Sequence, residues 1–201
     1  MSFPTFVKIT VEGRDITGRD EDRPAYIPIR AWRQMMKGAL AAGAQQYATV
    51  YLPLHFTKAA YYRYPQEYRV RTEAYFLRNH IPGGTTKDNQ AAAVAAARRA
   101  HNPGVFTGRL RLHTQLAVLK TVQQSVSVRI ASLPYLTKKP RPGRVDLLAE
   151  LGAVNSGERV AIQRIVQQTL LKVMKQYQKT RTVLTVPTNI PANSKLASLS
   201  V

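Results

Sequence analysis

The 201-residue sequence predicts an α+β domain, with two long helices packed on a small antiparallel β-sheet and an extended C-terminal arm. Three patterns predict this. Apolar residues recur in steps of three and four over 29–52 and again over 156–179. They alternate singly with polar residues in parts of 105–133. The last twenty residues hold two prolines, several Ser and Thr and no acid. The length suits one sizeable core, so residues 1–179 are expected to form a single domain with an Ala-rich insert around 81–102, and 180–201 the arm.

Phe6, Val7, Ile9 and Val11 form a short β-prone run that breaks at Glu12-Gly13-Arg14-Asp15, which reads as a first strand and its turn. An acidic connector follows to about Pro28. From Ile29 to about Leu52, Trp32, Met35/Met36, Ala39/Leu40, Gly43, Tyr47 and Val50/Tyr51 make one helical stripe. Pro28 suits the first turn, and Pro53 should end or kink the helix. Gly38 and Gly43 each weaken a helix by up to ~1 kcal/mol relative to Ala, which implies that something packs closely there.

The stretch 55–80 holds five of the ten tyrosines and has no clean period, so it reads as a loop to Pro65 and then a short helical or irregular piece over 67–77. The insert favours helix through its alanines but offers almost no apolar face. Leu110 and Leu112 alternate with Arg109 and Arg111, and Val126, Val128 and Ile130 alternate with Ser127, Arg129 and Ala131, giving two or more antiparallel strands. Residues 136–144 form a basic Pro/Gly connector. A short helix over 146–153 precedes a long one for which Ser156 is the candidate N-cap, with Glu158 near its start and Lys172, Lys175, Lys179 and Arg181 toward its end complementing the helix dipole.

Thirty Lys and Arg stand against eleven Asp and Glu, for a formal charge of +19. Five of the acids (Glu12, Asp15, Asp20, Glu21, Asp22) fall in the first 22 residues, so the remainder carries +21. Such a field attracts polyanions and exceeds what solubility needs, pointing to nucleic acid or to an acidic protein partner. With no cysteine, the chain has no disulfide, thiolate zinc site or cysteine nucleophile. No run approaches the ~18 apolar residues that span a bilayer, and the N-terminus lacks a signal-peptide pattern, so a soluble protein without membrane contact is expected.

No motif offers chemistry. His55, His80, His101 and His113 stand in no metal-binding arrangement and read as ordinary polar residues; Gly83-Gly84-Thr85-Thr86-Lys87 lacks the spacing of a phosphate loop. Carboxylates beyond residue 22 are too sparse for a hydrolytic pair, and Asp146 and Glu150, one helical turn apart, read as a salt-bridged surface with Arg144 and Lys138/Lys139. The expectation is a protein that is not an enzyme, with no catalytic residue, cofactor, metal or small-molecule substrate. What remains is cation and aromatic surface. Tyr interleaved with Arg over 61–78 could stack on bases, but these residue types also dominate protein interfaces, the reading favoured here. The candidate contact residues are Arg63, Tyr64, Arg69, Arg71 and Tyr75 on one surface, Arg109 and Arg111 on a strand, and Lys138, Lys139, Arg141 and Arg144 on the connector.

The order of these pieces resembles a family. His55-Phe56-Thr57, then Arg63-Tyr64, a spaced Arg71 and Tyr75, and Thr107-Gly108-Arg109-Leu110 opening the strands are similar to the neck and tail-completion proteins of long-tailed bacteriophages. In that family an N-terminal helix precedes an Arg/Tyr-rich segment, a Thr-Gly strand, further strands and a C-terminal helix. The chain follows that order from about 29 to 179, with two departures: the insert 81–102 and a longer C-terminal arm. The resemblance implies a structural subunit of a sixfold or twelvefold homo-oligomeric ring in the virion, assembled in the host bacterial cytoplasm. That ring would join portal, adaptor or tail proteins, with genomic DNA in its channel as a further contact. The alternative is a basic nucleic-acid-binding protein, ribosome- or nucleoid-associated.

Overall fold

The computed structural model describes residues 5–10 as backbone, and 23–68, 117–121, 125–129, 146–183 and 185–194 in full. The fold is α+β. Strand β1 (Thr5–Thr10) is followed by helix α1 (Ile29–Gln46), a π-helical turn (Tyr47–Tyr51), a 3-10 turn (Leu52–Phe56) and the short α2 (Ala60–Arg63). Strands β2 (Val118–Thr121) and β3 (Ser125–Arg129), helices α3 (Leu147–Gly152) and α4 (Ser156–Thr180), and strand β4 (Asn189–Pro191) complete the order.

The sheet runs β1-β3-β2-β4 and every neighbouring pair is antiparallel. Leu119 lies opposite Val128 on one side and Ile190 on the other, which sets three buried apolar side chains in a row across the sheet. β3 alternates as expected, with Val126 and Val128 buried and Ser127 and Arg129 half-buried, and in β2 Leu119 and Thr121 are buried and Lys120 is not.

Helix α1 lies on this sheet, and α4 packs on α1 rather than on the strands. Among the described residues the molecule therefore has three layers, with α1 in the middle. That placement corrects the expectation of two helices sharing one sheet, and it explains the burial of α1. Trp32, Met35, Met36, Gly38, Ala39, Leu40, Ala41, Gly43 and Ala44 are all buried, more than one stripe can hold. The enclosing surfaces require small residues. A Cβ built on Gly43 would stand 2.5 Å from Val166 Cγ2 and 3.3 Å from Ile162 Cγ2, both on α4, whereas one on Gly38 would meet only Val186 Cγ2, at 3.6 Å.

The two glycines should thus respond oppositely to the same substitution. Gly43→Ala forces a methyl against a β-branched side chain with little rotamer freedom and lowers stability by about 1–3 kcal/mol, whereas Gly38→Ala makes ordinary contact and gains up to ~1 kcal/mol of helix propensity. Urea unfolding midpoints of the two variants check this. Equal shifts would contradict the close approach of α1 and α4.

The C-terminal segment departs from the expected arm. It is extended, but residues 185–194 fold back onto the rest of the chain: Val186, Ile190 and Ala192 are buried in the main core and β4 pairs with β2. Polar side chains fasten it. Gln34 Oε1 accepts from Val186 N at 3.1 Å, Thr121 Oγ1 donates to Pro187 O at 2.7 Å, and Gln45 Nε2 donates to the carbonyls of Ala192 and Ser194. Gln34 and Gln45 are eleven residues apart, three turns along one face of α1. Pro191 is tolerated because β4 is an edge strand.

Pro53 acts as its chemistry demands. It has no N–H to donate and its ring crowds the carbonyl four residues back, and the regular hydrogen-bond ladder of α1 stops at Gln46, giving way to a wider π turn and a tighter 3-10 turn. The expected loop from His55 to Pro65 instead contains the end of the 3-10 turn and α2.

Candidate functional site

The turns after α1 bring His55, Tyr64 and Tyr68 into contact with the start of α4 around one buried carboxylate. Asn155 caps α4: its Oδ1 accepts from Glu158 N at 2.9 Å, and Glu158 Oε2 accepts from Asn155 N at 3.1 Å, a reciprocal capping box. The cap thus lies one residue before the expected Ser156. The other carboxylate oxygen, Oε1, accepts from Arg63 Nη2 at 2.9 Å, Arg63 Nε at 3.2 Å and Tyr64 Oη at 2.7 Å. Glu158 is 2 % exposed and the Arg63 side chain 34 %. One side chain therefore ends a helix and holds a segment 95 residues earlier in the chain.

Aromatic rings close over this pair. The His55 ring stacks on Tyr64 with centroids 4.2 Å apart and planes 6° off parallel. Its Nδ1 shares a hydrogen bond with Tyr68 Oη at 3.1 Å, and the same hydroxyl donates to the His55 carbonyl at 3.3 Å. Ala60, Tyr61, Tyr64, Tyr68 and Ala153 form a small core of their own beside it. On the other side Tyr47, in the π turn, donates its hydroxyl to the carbonyl of Leu151 in α3. Asp146 caps α3, accepting from Leu148 N and Ala149 N at 3.0 and 3.1 Å, and Glu150 is buried. Of the expected salt-bridged surface, Asp146 thus serves as a cap and Glu150 lies buried, while Arg144, Lys138 and Lys139 lie outside the described residues.

The electrostatics follow from burial. His55 is 1 % exposed, and desolvation pulls its pKa down from 6.5 to about 4 against the smaller favourable influences of Glu158 and the Ala153 backbone, with Arg63 adding to the depression. Among the described residues no group meets its Nε2 with hydrogen-bond geometry. Burial, then the hydrogen bond to Glu158, pushes the Tyr64 hydroxyl above its ordinary value; burial does the same to Tyr47. The hydrogen bond to Glu158 raises the Arg63 pKa. Glu158 accepts four hydrogen bonds, so this carboxylate anchors structure.

Of the candidate contact residues, Arg63 and Tyr64 fall within this cluster. Tyr64 is 2 % exposed, so its ring serves the interior of the fold, and Arg63 presents only part of its guanidinium to solvent. Arg69, Arg71, Tyr75, Arg109, Arg111, Lys138, Lys139, Arg141 and Arg144 lie outside the described residues, as do the insert 81–102 and Leu110 and Leu112. Sequence reasoning missed Glu158 as a hub and read His55 as an ordinary polar residue. Asn155-x-x-Glu158 carried a readable capping signal, whereas nothing local tied it to Arg63 and Tyr64.

Among the described residues no group of His, Asp and Glu is placed to hold a metal ion, and no helix is long and apolar enough to cross a membrane. No protein-family model, curated protein or solved structure matches the chain.

Proposed function

We propose that the chain is a structural subunit of a bacteriophage virion, a ring-forming neck protein of the head-to-tail connector or tail-completion kind. The observation that carries this reading is the union of its signature with its C-terminal helix. His55, Arg63 and Tyr64, which bear the family likeness, pack as one buried cluster on Glu158 of α4. The signature thus reads as a fastening of the subunit, a role that the same architecture would demand in every member of such a family.

In this reading the two long helices and the sheet form the body of a subunit in a sixfold or twelvefold ring. The ring joins, seals and transmits, without turnover. The cationic segments at Arg69, Arg71 and Tyr75, at Arg109 and Arg111, and at Lys138, Lys139, Arg141 and Arg144 meet portal, adaptor or tail proteins, or the genomic DNA in the channel.

The charge of +19 favours a second reading, a ribosome- or nucleoid-associated nucleic-acid-binding protein. Titration of a DNA duplex with the purified protein at physiological salt separates the two. A neck subunit alone binds no tighter than non-specific contact allows, with Kd on the order of 1–100 μM, whereas a dedicated nucleic-acid-binding protein binds in the nanomolar range as a monomer. Nanomolar binding by the monomer would sink the neck reading.

A further inference from the structure

We infer that the outward face of α4 is a nucleic-acid contact surface, recognising the phosphate backbone of DNA through Arg164, Lys172, Lys175 and Lys179. This deepens the neck reading and rests on it for the source of the DNA.

At 100° per residue these four cations fall within an arc of about 80° on α4, and from Arg164 to Lys179 they cover roughly 22 Å of helix. All four are exposed. The opposite side of the helix, carrying Ile162, Val166, Leu170 and Tyr177, is buried in the core and fixes which face looks outward. The only acid of α4 is Glu158, which is buried and bound to Arg63, so it offsets none of these charges at the surface. The remaining acids among the described residues do not lie on this face either: Asp146 caps α3, Glu150 is buried, and Glu67 belongs to the turn before Tyr68.

The chemistry of this face fits phosphate better than protein. Gln168, exposed between the cations, adds a neutral donor of the kind that bonds phosphate and sugar oxygens. Val160 and Leu171 are 54 % and 56 % exposed, but they stand eleven residues apart and make no continuous apolar patch that a protein partner would bury. A second copy of the same face is excluded as occupant by like charge. A straight helix with cations along one edge matches a linear polyanion, which rewards each neutralised phosphate with a released counterion. Repeated around a ring, the face would form a cationic band, each contact weak and their sum multivalent.

The test measures binding of a fluorescent DNA duplex to the full chain across a salt series. Arg164→Gln/Lys172→Gln/Lys175→Gln is compared with a control, Arg30→Gln/Lys37→Gln/Lys58→Gln, which removes equal charge from α1 and the turn before α2. Gln is nearly as good a helix former as Lys or Arg, so the fold is retained. The slope of log K against log salt should become shallower by about 2.7 in the α4 variant, at ~0.9 per phosphate contact, and by less than ~1 in the control. Equal changes in the two variants would overturn the inference, showing only a diffuse field. So would duplex binding indifferent to the α4 variant together with α4-dependent binding of poly-glutamate, which would assign the face to an acidic protein. Failure of the neck reading is a separate result: the wild-type protein would form no closed ring while the difference in slopes persisted.

Discussion

Glu158→Ala lowers the stability of the folded chain by about 3–5 kcal/mol, the cost of breaking a buried charge pair by removing one partner. The carboxylate takes four hydrogen bonds from three residues. Its loss removes one half of the capping box of α4, leaves the buried Tyr64 hydroxyl without its acceptor, and breaks the tie of Arg63 and Tyr64 to α4. For a domain of this size the melting temperature should fall by roughly 6–20 °C. Arg63→Met should cost less, about 1–3 kcal/mol, because the guanidinium is a third exposed and the carboxylate keeps Tyr64 and the capping backbone N–H. Thermal or urea unfolding of both variants gives the comparison. A shift below 1 kcal/mol for Glu158→Ala would show that the cluster does not hold the fold.

The second large effect is on pH. His55 is neutral in the folded protein with a pKa of about 4, whereas in the unfolded chain it returns to about 6.5. The unfolded state therefore binds the proton first as pH falls. The stabilisation is complete above pH 6.5 and is lost progressively between 6.5 and 4, amounting to about 3 kcal/mol at ~1.4 kcal/mol per pH unit. Tyr64 and Tyr47 pack on this ring, Tyr68 bonds its Nδ1, and Glu158 and Arg63 act on it with opposite signs. Carboxylates titrate in the same acid range, so the readout is a difference. His55→Phe keeps the stack on Tyr64 and removes the titrating group, and its stability should fall less steeply than the wild type's over pH 6.5–4. Parallel curves would contradict burial of a neutral His55.

What the sequence displayed and what it hid divide along physical lines. The first strand, α1, the β3 alternation and α4 were legible because their apolar residues recur in the sequence with a period near 2 or 3.6. The middle-layer position of α1 was visible only obliquely, in Gly38 and Gly43, whose cost to a helix makes sense once Val186 and Val166 stand against them. β4 left little trace. It is three residues long, carries a proline, and gains its place from Gln34, Gln45 and Thr121, polar side chains that no hydropathy pattern marks. The Glu158 cluster was hidden for a different reason. Its capping half is local, but the half that matters joins residues 94 and 95 positions apart, and single-sequence periodicity contains no information about such pairs. The resemblance rests in part on His55, Arg63 and Tyr64, and in the structure these residues gather at Glu158, with His55 and Tyr64 buried and Arg63 partly exposed.

The proposal that this is a ring-forming neck subunit is tested most directly by the mass and rotational symmetry of the purified protein, alone and with the products of its neighbouring genes. Native mass measurement and electron microscopy should give closed rings of six or twelve copies, formed by the protein itself or on a partner ring. A protein that stays strictly monomeric, joins no particle and binds nucleic acid tightly would contradict it.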